Sequence, residues 1–197
     1  MNVPWGFGSF DRVAFGLING VWTHPVLDKV MPMVTDPHRV PWLAYGVAPL
    51  ALGVWLYKGR KHALRVLVVA AIAVGVSDML AYRVLKPWAG RPRPGYAGIG
   101  AIVRAPVGGK LGFPSNHAMN AAAAASVMAV AYPSAGFVFW ILAGLVAYSR
   151  VYVGAHYPFD VLAGMAFGAM LGIPWGMLML GGGAGGGSGG GKKKKKR

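Results

Sequence analysis

Eight residues in the second half of the chain have the types and spacing to do chemistry together: Lys86 and Arg93, then Ser115, Asn116 and His117, then Arg150, His156 and Asp160. They stand in three clusters, K-P-W-A-G-R-P-R-P at 86–94, P-S-N-H at 114–117 and S-R-V-Y-V-G-A-H-Y-P-F-D at 149–160. Lysine and arginine supply hydrogen-bond donors, and guanidinium forks match the oxygens of phosphate in pairs. No pair of neighbouring carboxylates accompanies them, so the set suits an anion held without a divalent cation. A helix opening at Pro114 to His117 adds its free backbone N–H groups and the positive end of its dipole. His156 and Asp160 are four apart, so they share a face if that stretch is helical, although Pro158 interrupts such a helix. A carboxylate on one ring nitrogen fixes the tautomer and leaves the other nitrogen free to attack. His117 is then available as the general acid for a departing oxygen.

The rest of the chain must position these groups, and its composition says in what surroundings. Of 197 residues, 55% are hydrophobic and only 13% are charged, too apolar for an ordinary water-soluble domain. Charged groups set into such a chain are costly unless they have a functional reason. There is no cysteine, which removes disulfides, thiolate metal sites and a cysteine nucleophile. Glutamate is absent as well, and the only acids are Asp11, Asp28, Asp36, Asp78 and Asp160. The formal charge of +15 is not a nucleic-acid footprint, because six of the twenty basic residues lie in the run Lys192–Arg197 behind a glycine-rich stretch. That tail, 181–197, is either an appended linker and tag or a polybasic segment resting on anionic lipid headgroups.

Hydrophobic periodicity divides the remainder into an all-α, polytopic helix bundle. Residues 1–36 read as an interfacial helix or short span, with the apolar side of Phe7 to Trp22 opposite Asp11 and Arg12, followed by a short piece from Pro25 to Val34. Residues 37–180 read as the membrane-embedded domain. Its expected spans are Val40 to Tyr57, Ala63 to Val84, Ala118 to Tyr132, Phe137 to Tyr152 and Val161 to Leu180, five in all with a sixth at the N-terminus. Asp78 interrupts the second, with Arg83 or Arg39 as its expected partner. Gly164, Gly168 and Gly172 recur every four residues and predict a close helix contact. If the basic turn at Lys58, Arg60 and Lys61 is cytoplasmic, alternation puts all three clusters on the opposite face.

The three clusters together resemble the signature of the type 2 phosphatidic acid phosphatase family, which is related to vanadium-dependent haloperoxidases. The matching positions are Lys86 with Arg93-Pro94, Pro114-Ser115 with His117, and Ser149-Arg150 with His156 and Asp160; Asn116 stands where the family usually has glycine. The resemblance implies a haloperoxidase-like helical core over about 40–180 and a metal-independent, cofactor-free lipid phosphate phosphatase. It implies His156 as the nucleophile that forms a phosphohistidine, Asp160 orienting it, and His117 protonating the leaving group. Lys86, Arg93, Ser115 and Arg150 would bind the phosphoryl oxygens, Asn116 would crowd the pocket or add a donor, and Arg91 would support from behind. Similarity to bacterial members that recycle undecaprenyl pyrophosphate implies a multi-pass protein of the bacterial cytoplasmic membrane. Lipid A 1-phosphatases and phosphatidylglycerophosphate or phosphatidic acid phosphatases share the signature. An anion transporter or channel using the same basic cluster is the reading of a different class.

Overall fold

The computed structural model describes residues 8–181, so the expectations for Phe7 and most of the 181–197 tail lie outside the described residues. Those residues form seven helices: α1 (Gly8–Gly16), α2 (Pro25–Thr35), α3 (Ala48–Leu80), α4 (Lys86–Ala89), α5 (Asn116–Ala131), α6 (Gly136–Tyr152) and α7 (Pro158–Leu180). Among them there is no strand, only an isolated bridge between Pro92 and Leu111. Three segments are long and apolar enough to cross a membrane, Leu43–Ala89, Pro133–Tyr152 and Pro158–Leu180. The first is 47 residues long and holds both spans expected between Val40 and Val84. It is broken at Arg60, whose φ of 44° interrupts the helical path where the basic turn is read from the sequence.

Helix α5 is the axis of the bundle, packed against α3, α6 and α7. It has 16 residues, about 24 Å at 1.5 Å per residue, and its alanines 118, 122, 123 and 125 are buried. Ser115 caps its start. Small side chains here serve backbone approach rather than volume filling. The glycine row of α7 meets the same helix. A Cβ on Gly164 would stand 2.7 Å from the Ser115 carbonyl oxygen, and a Cβ on Gly168 or Gly172 would overlap the carbonyl oxygens of Met119 and Ala123. The expected packing face is therefore present, and its partner is α5.

Helix α1 differs from the reading that set Asp11 apart from the packed side. Asp11, Phe15 and Asn19 are buried, while Phe10 and Val13 face outward. In a hydrocarbon setting the inward face can be the polar one, provided that each polar group finds a partner. Asn19, in the π-helical turn Leu17–Val21, donates from Nδ2 to the carbonyls of Ile102 (2.8 Å) and Tyr152 (2.9 Å) and accepts from the Ile102 N–H at 2.9 Å. That one carboxamide ties the loop between α4 and α5 to the end of α6. Arg104 strengthens the tie by donating from Nε to Asp28 Oδ1 at 2.7 Å and lying over the Tyr152 ring.

Gly168→Ala places a methyl against backbone, which a flexible side chain cannot relieve. We expect a loss of about 1–3 kcal/mol, read as a lower unfolding temperature in detergent. Gly144→Ala, where nothing lies within 4 Å of the added carbon, leaves that temperature unchanged.

Candidate active site

Lys86 opens α4, Arg93 follows it on the irregular loop, Arg150 ends α6, and His156 sits in the turn before α7. All four are buried, His156 to 1% exposure. The loop is held in place by its own backbone: Arg93 N–H donates to the Lys110 carbonyl at 3.0 Å and Gly112 N–H to that of Arg91 at 2.7 Å. The turn carrying His156 folds back through Ala155 N–H and His156 N–H, both donating to the Arg150 carbonyl at 3.0 and 3.2 Å. Gly154, with φ of +82° and no room for a Cβ against Ile102, makes that reversal possible.

The central contact joins the first cluster to the third. Arg93 Nη1 lies 2.6 Å from His156 Nε2, and since a guanidinium only donates, Nε2 is the acceptor and the ring proton sits on Nδ1. Nε2 thus carries an in-plane lone pair among cations. Burial first, then the charges of Arg93, Arg150 and Lys86, push the His156 imidazole well below the ordinary histidine value. Lys86 Nζ donates to the Pro114 carbonyl at 2.8 Å, which brings the first cluster to the second. Ser115 N–H donates to the Asp160 carbonyl at 3.0 Å, which brings the second to the third. Arg150 donates from Nη1 to Thr35 Oγ1, while its buried Nε has no acceptor among the described residues. A buried donor without a partner costs about 1–3 kcal/mol, and an oxyanion at this position would satisfy it.

Asp160 is placed differently from the simple dyad the spacing suggests. Helix α7 starts at Pro158, so His156 precedes it and the two residues do not share a helical face. Asp160 Oδ2 accepts the Tyr157 N–H at 3.0 Å and stands 3.6 Å from His156 Nδ1, too far for a hydrogen bond. Its other oxygen accepts from Arg91 Nη1 at 2.7 Å, and Arg91 Nη2 in turn donates to Asp11. Asp11 Oδ1 also accepts the Phe159 N–H at 2.9 Å. Arg91 is therefore the link between α1 and the Asp160 carboxylate.

Two other residues face partners not foreseen. Asn116 donates from Nδ2 to Asp78 Oδ1 at 2.8 Å, and Asn120, one turn on, donates to the same oxygen at 3.2 Å. Asp78 is thus satisfied by carboxamides of α5 rather than by Arg83 or Arg39, because a half-buried carboxylate in an apolar helix takes the donors that face it across the helix pair. His117 lies with Nε2 3.3 Å from Asp36 Oδ1. Asp11, Asn19, Thr35, Asp36 and Asn120 carry no motif and went unassigned. The available signal was scarcity, since each of the five acids in this chain has a donor partner.

Two cavities flank the cluster. One of about 340 Å³ is walled by Trp88, Phe113, Tyr157, Phe159 and Phe167, with Arg91 at its edge. The other, about 420 Å³, opens beside Asp36, Arg39, Asp28 and Arg104.

An imidazole buried among cations, in an all-helical chain with three segments apolar enough to cross a membrane, is the arrangement of a membrane protein with a candidate site for a phosphate-like anion. Comparison with known proteins agrees. The PAP2 superfamily model matches residues 62–179, and the chain belongs to that superfamily. It is 29% identical over 168 residues to the lipid A 4'-phosphatase of Porphyromonas gingivalis, covering 82% of this chain and 70% of that one. With the undecaprenyl-diphosphatase of Bacillus subtilis it shares 28% identity over 162 residues, covering 80% and 78%. The crystal structure of the PAP2-type phosphatidylglycerolphosphate phosphatase of Bacillus subtilis superimposes with a TM-score of 0.61 at 27% identity, covering 85% of this chain and 83% of that one. The chain is accordingly a membrane protein of a phosphatase family.

With its pKa depressed, the His156 ring remains neutral as the pH falls past the ordinary histidine value of about 6.5 and protonates only well below it. Histidine NMR of the detergent-solubilised protein, assigned with His156→Gln, checks this; a midpoint at or above the ordinary value contradicts the burial and charge balance described here.

Proposed function

We propose that this protein removes a phosphate from a membrane lipid phosphate or diphosphate by way of a phosphohistidine on His156, with undecaprenyl pyrophosphate as the favoured substrate. The observation that carries the reading is the 2.6 Å approach of Arg93 to His156 Nε2, which sets a nucleophilic lone pair next to a guanidinium that binds phosphoryl oxygens. In the first step a bound phosphoryl oxygen takes over the Arg93 N–H, the freed Nε2 lone pair attacks phosphorus, the bond from phosphorus to the leaving oxygen breaks, and His117 gives that oxygen a proton. Water then attacks the phosphohistidine, losing its proton to His117, and the phosphorus–nitrogen bond breaks to release inorganic phosphate. Lys86, Arg93, Arg150 and the hydroxyl of Ser115 hold the three equatorial oxygens as charge spreads over them. Asn116 acts through its backbone N–H at the start of α5. Asp160 stabilises the charge that develops on His156 and, bonded to Arg91, keeps the turn in position. The donor set is three cations with a hydroxyl and a backbone N–H, which supports catalysis without a divalent metal.

The aromatic cavity beside Arg91 supports a substrate with a long apolar tail, and the names of the relatives support a lipid phosphate of the bacterial envelope. Within that class, phosphatidylglycerophosphate, phosphatidic acid and lipid A phosphates are the alternatives. The site is assigned to the non-cytoplasmic face of the bacterial cytoplasmic membrane from the basic turn at 58–61, with anionic headgroups as the surrounding surface.

Detergent-solubilised protein should release inorganic phosphate in the presence of EDTA, fastest from undecaprenyl pyrophosphate in a panel with phosphatidic acid, phosphatidylglycerophosphate and lipid A. His156→Ala is expected to abolish release and His117→Ala to slow it by about 10²–10⁴-fold. Anion flux in proteoliposomes without phosphate release would favour a transporter instead. Because the chain lacks cysteine, Lys110→Cys reports orientation directly. A membrane-impermeant maleimide should label it in intact cells, and labelling only after permeabilisation reverses the assignment.

A further inference from the structure

A carboxylate outside the family-matched region stands against His117. Asp36 follows the last residue of α2, lies outside the 62–179 stretch that the superfamily model matches, and is almost fully buried. Its Oδ1 is 3.3 Å from His117 Nε2, and its Oδ2 is 3.6 Å from Arg39 Nε. The position is well determined by its neighbours: Asp36 N–H donates to the Pro32 carbonyl at 3.1 Å, and Arg39 N–H donates to the Asp36 carbonyl at 2.9 Å. The preceding residue, Thr35, accepts from Arg150 Nη1, so two consecutive residues brace two members of the cluster. Asp36 also borders the 420 Å³ cavity, with Arg39 on the same wall. The charged groups facing His117 are otherwise cations, Arg150 and Arg93, which oppose a proton on its ring.

We infer that Asp36 is a positioning residue for His117: it takes the Nε2–H, fixes the tautomer, and stabilises the imidazolium that protonates the leaving group. Nδ1 is then the nitrogen that trades a proton with the leaving oxygen and afterwards with water. This inference rests on the proposed phosphatase reading, and it deepens that reading by giving the acid, not only the nucleophile, its own carboxylate. The element that supplies it is the N-terminal segment, which the three motifs do not include.

A leaving group that needs no proton isolates this role. Full-length protein is assayed with p-nitrophenyl phosphate, whose leaving group departs as a stable anion, and with dioctanoyl phosphatidic acid, whose alkoxide must be protonated. Asp36→Asn should lower kcat/KM on phosphatidic acid, which reports only the steps up to departure of the leaving group, by about 10- to 100-fold, at or below the lower end of the 10²–10⁴-fold span of general acid catalysis. Its effect on p-nitrophenyl phosphate should stay under about threefold, Asp36→Glu should recover part of the loss, and in a His117→Ala background Asp36→Asn should cost nothing more. Equal losses on both substrates, or additive losses with His117→Ala, overturn the inference while leaving the phosphatase reading intact. Wild-type protein that hydrolyses neither substrate, nor any lipid of the panel, overturns both.

Discussion

Lys86, Arg93 and Arg150 are held out of water at the end of an apolar bundle, and the cost of that burial shapes everything around them. Each desolvated cation carries a penalty of several kcal/mol unless acceptors surround it. Here the acceptors come from the irregular backbone: carbonyls of Pro114 and Leu111 for Lys86, and of Gly109 and Ala155 for Arg93. Irregular chain at the edge of a membrane domain thus has a purpose, because its unpaired carbonyls solvate side chains that lipid cannot. The matching is incomplete at Arg150 Nε and at His156 Nδ1, buried atoms with no hydrogen-bond partner among the described residues.

Precision at the site depends on the contact between α5 and α7. Gly164 meets the backbone of Ser115 and Gly168 that of Met119, so the close approach of the two helices begins at their first turns, which carry His117 on α5 and Asp160 on α7. A loose helix pair would let the second and third clusters drift apart. The N-terminal helices close the assembly from outside, Asp11 through Arg91 and Asp36 at His117, with Asn19 pinning the loop between them. Polar side chains inward and apolar ones outward is the arrangement expected when the solvent is hydrocarbon.

Much of the fold and most of the candidate site could be read from the chain itself, for local reasons. Helical spans follow from runs of apolar residues, the α7 packing face from glycines at four-residue steps, and the candidate site from three short stretches that combine cations with histidine. Where the reading fell short, the missing information was lateral. Asp11 looked like the outer side of an amphipathic helix because an apolar stripe is read as the buried one, which reverses when lipid lies outside. Asp78 looked bound for Arg83 or Arg39, yet α3 presents it to Asn116 and Asn120 on a neighbouring helix.

By itself the sequence determined the helical membrane class, the glycine-lined helix contact and the eight candidate site residues, because hydropathy period and motif spacing are properties of contiguous chain. Only the tertiary structure decided which nitrogen of His156 carries its lone pair, that Asp160 is tied to Arg91 rather than hydrogen-bonded to the imidazole, and that Asp36 stands against His117. Those relations join residues tens of positions apart across helix pairs, and no local pattern encodes the angle at which two helices bring their side chains together.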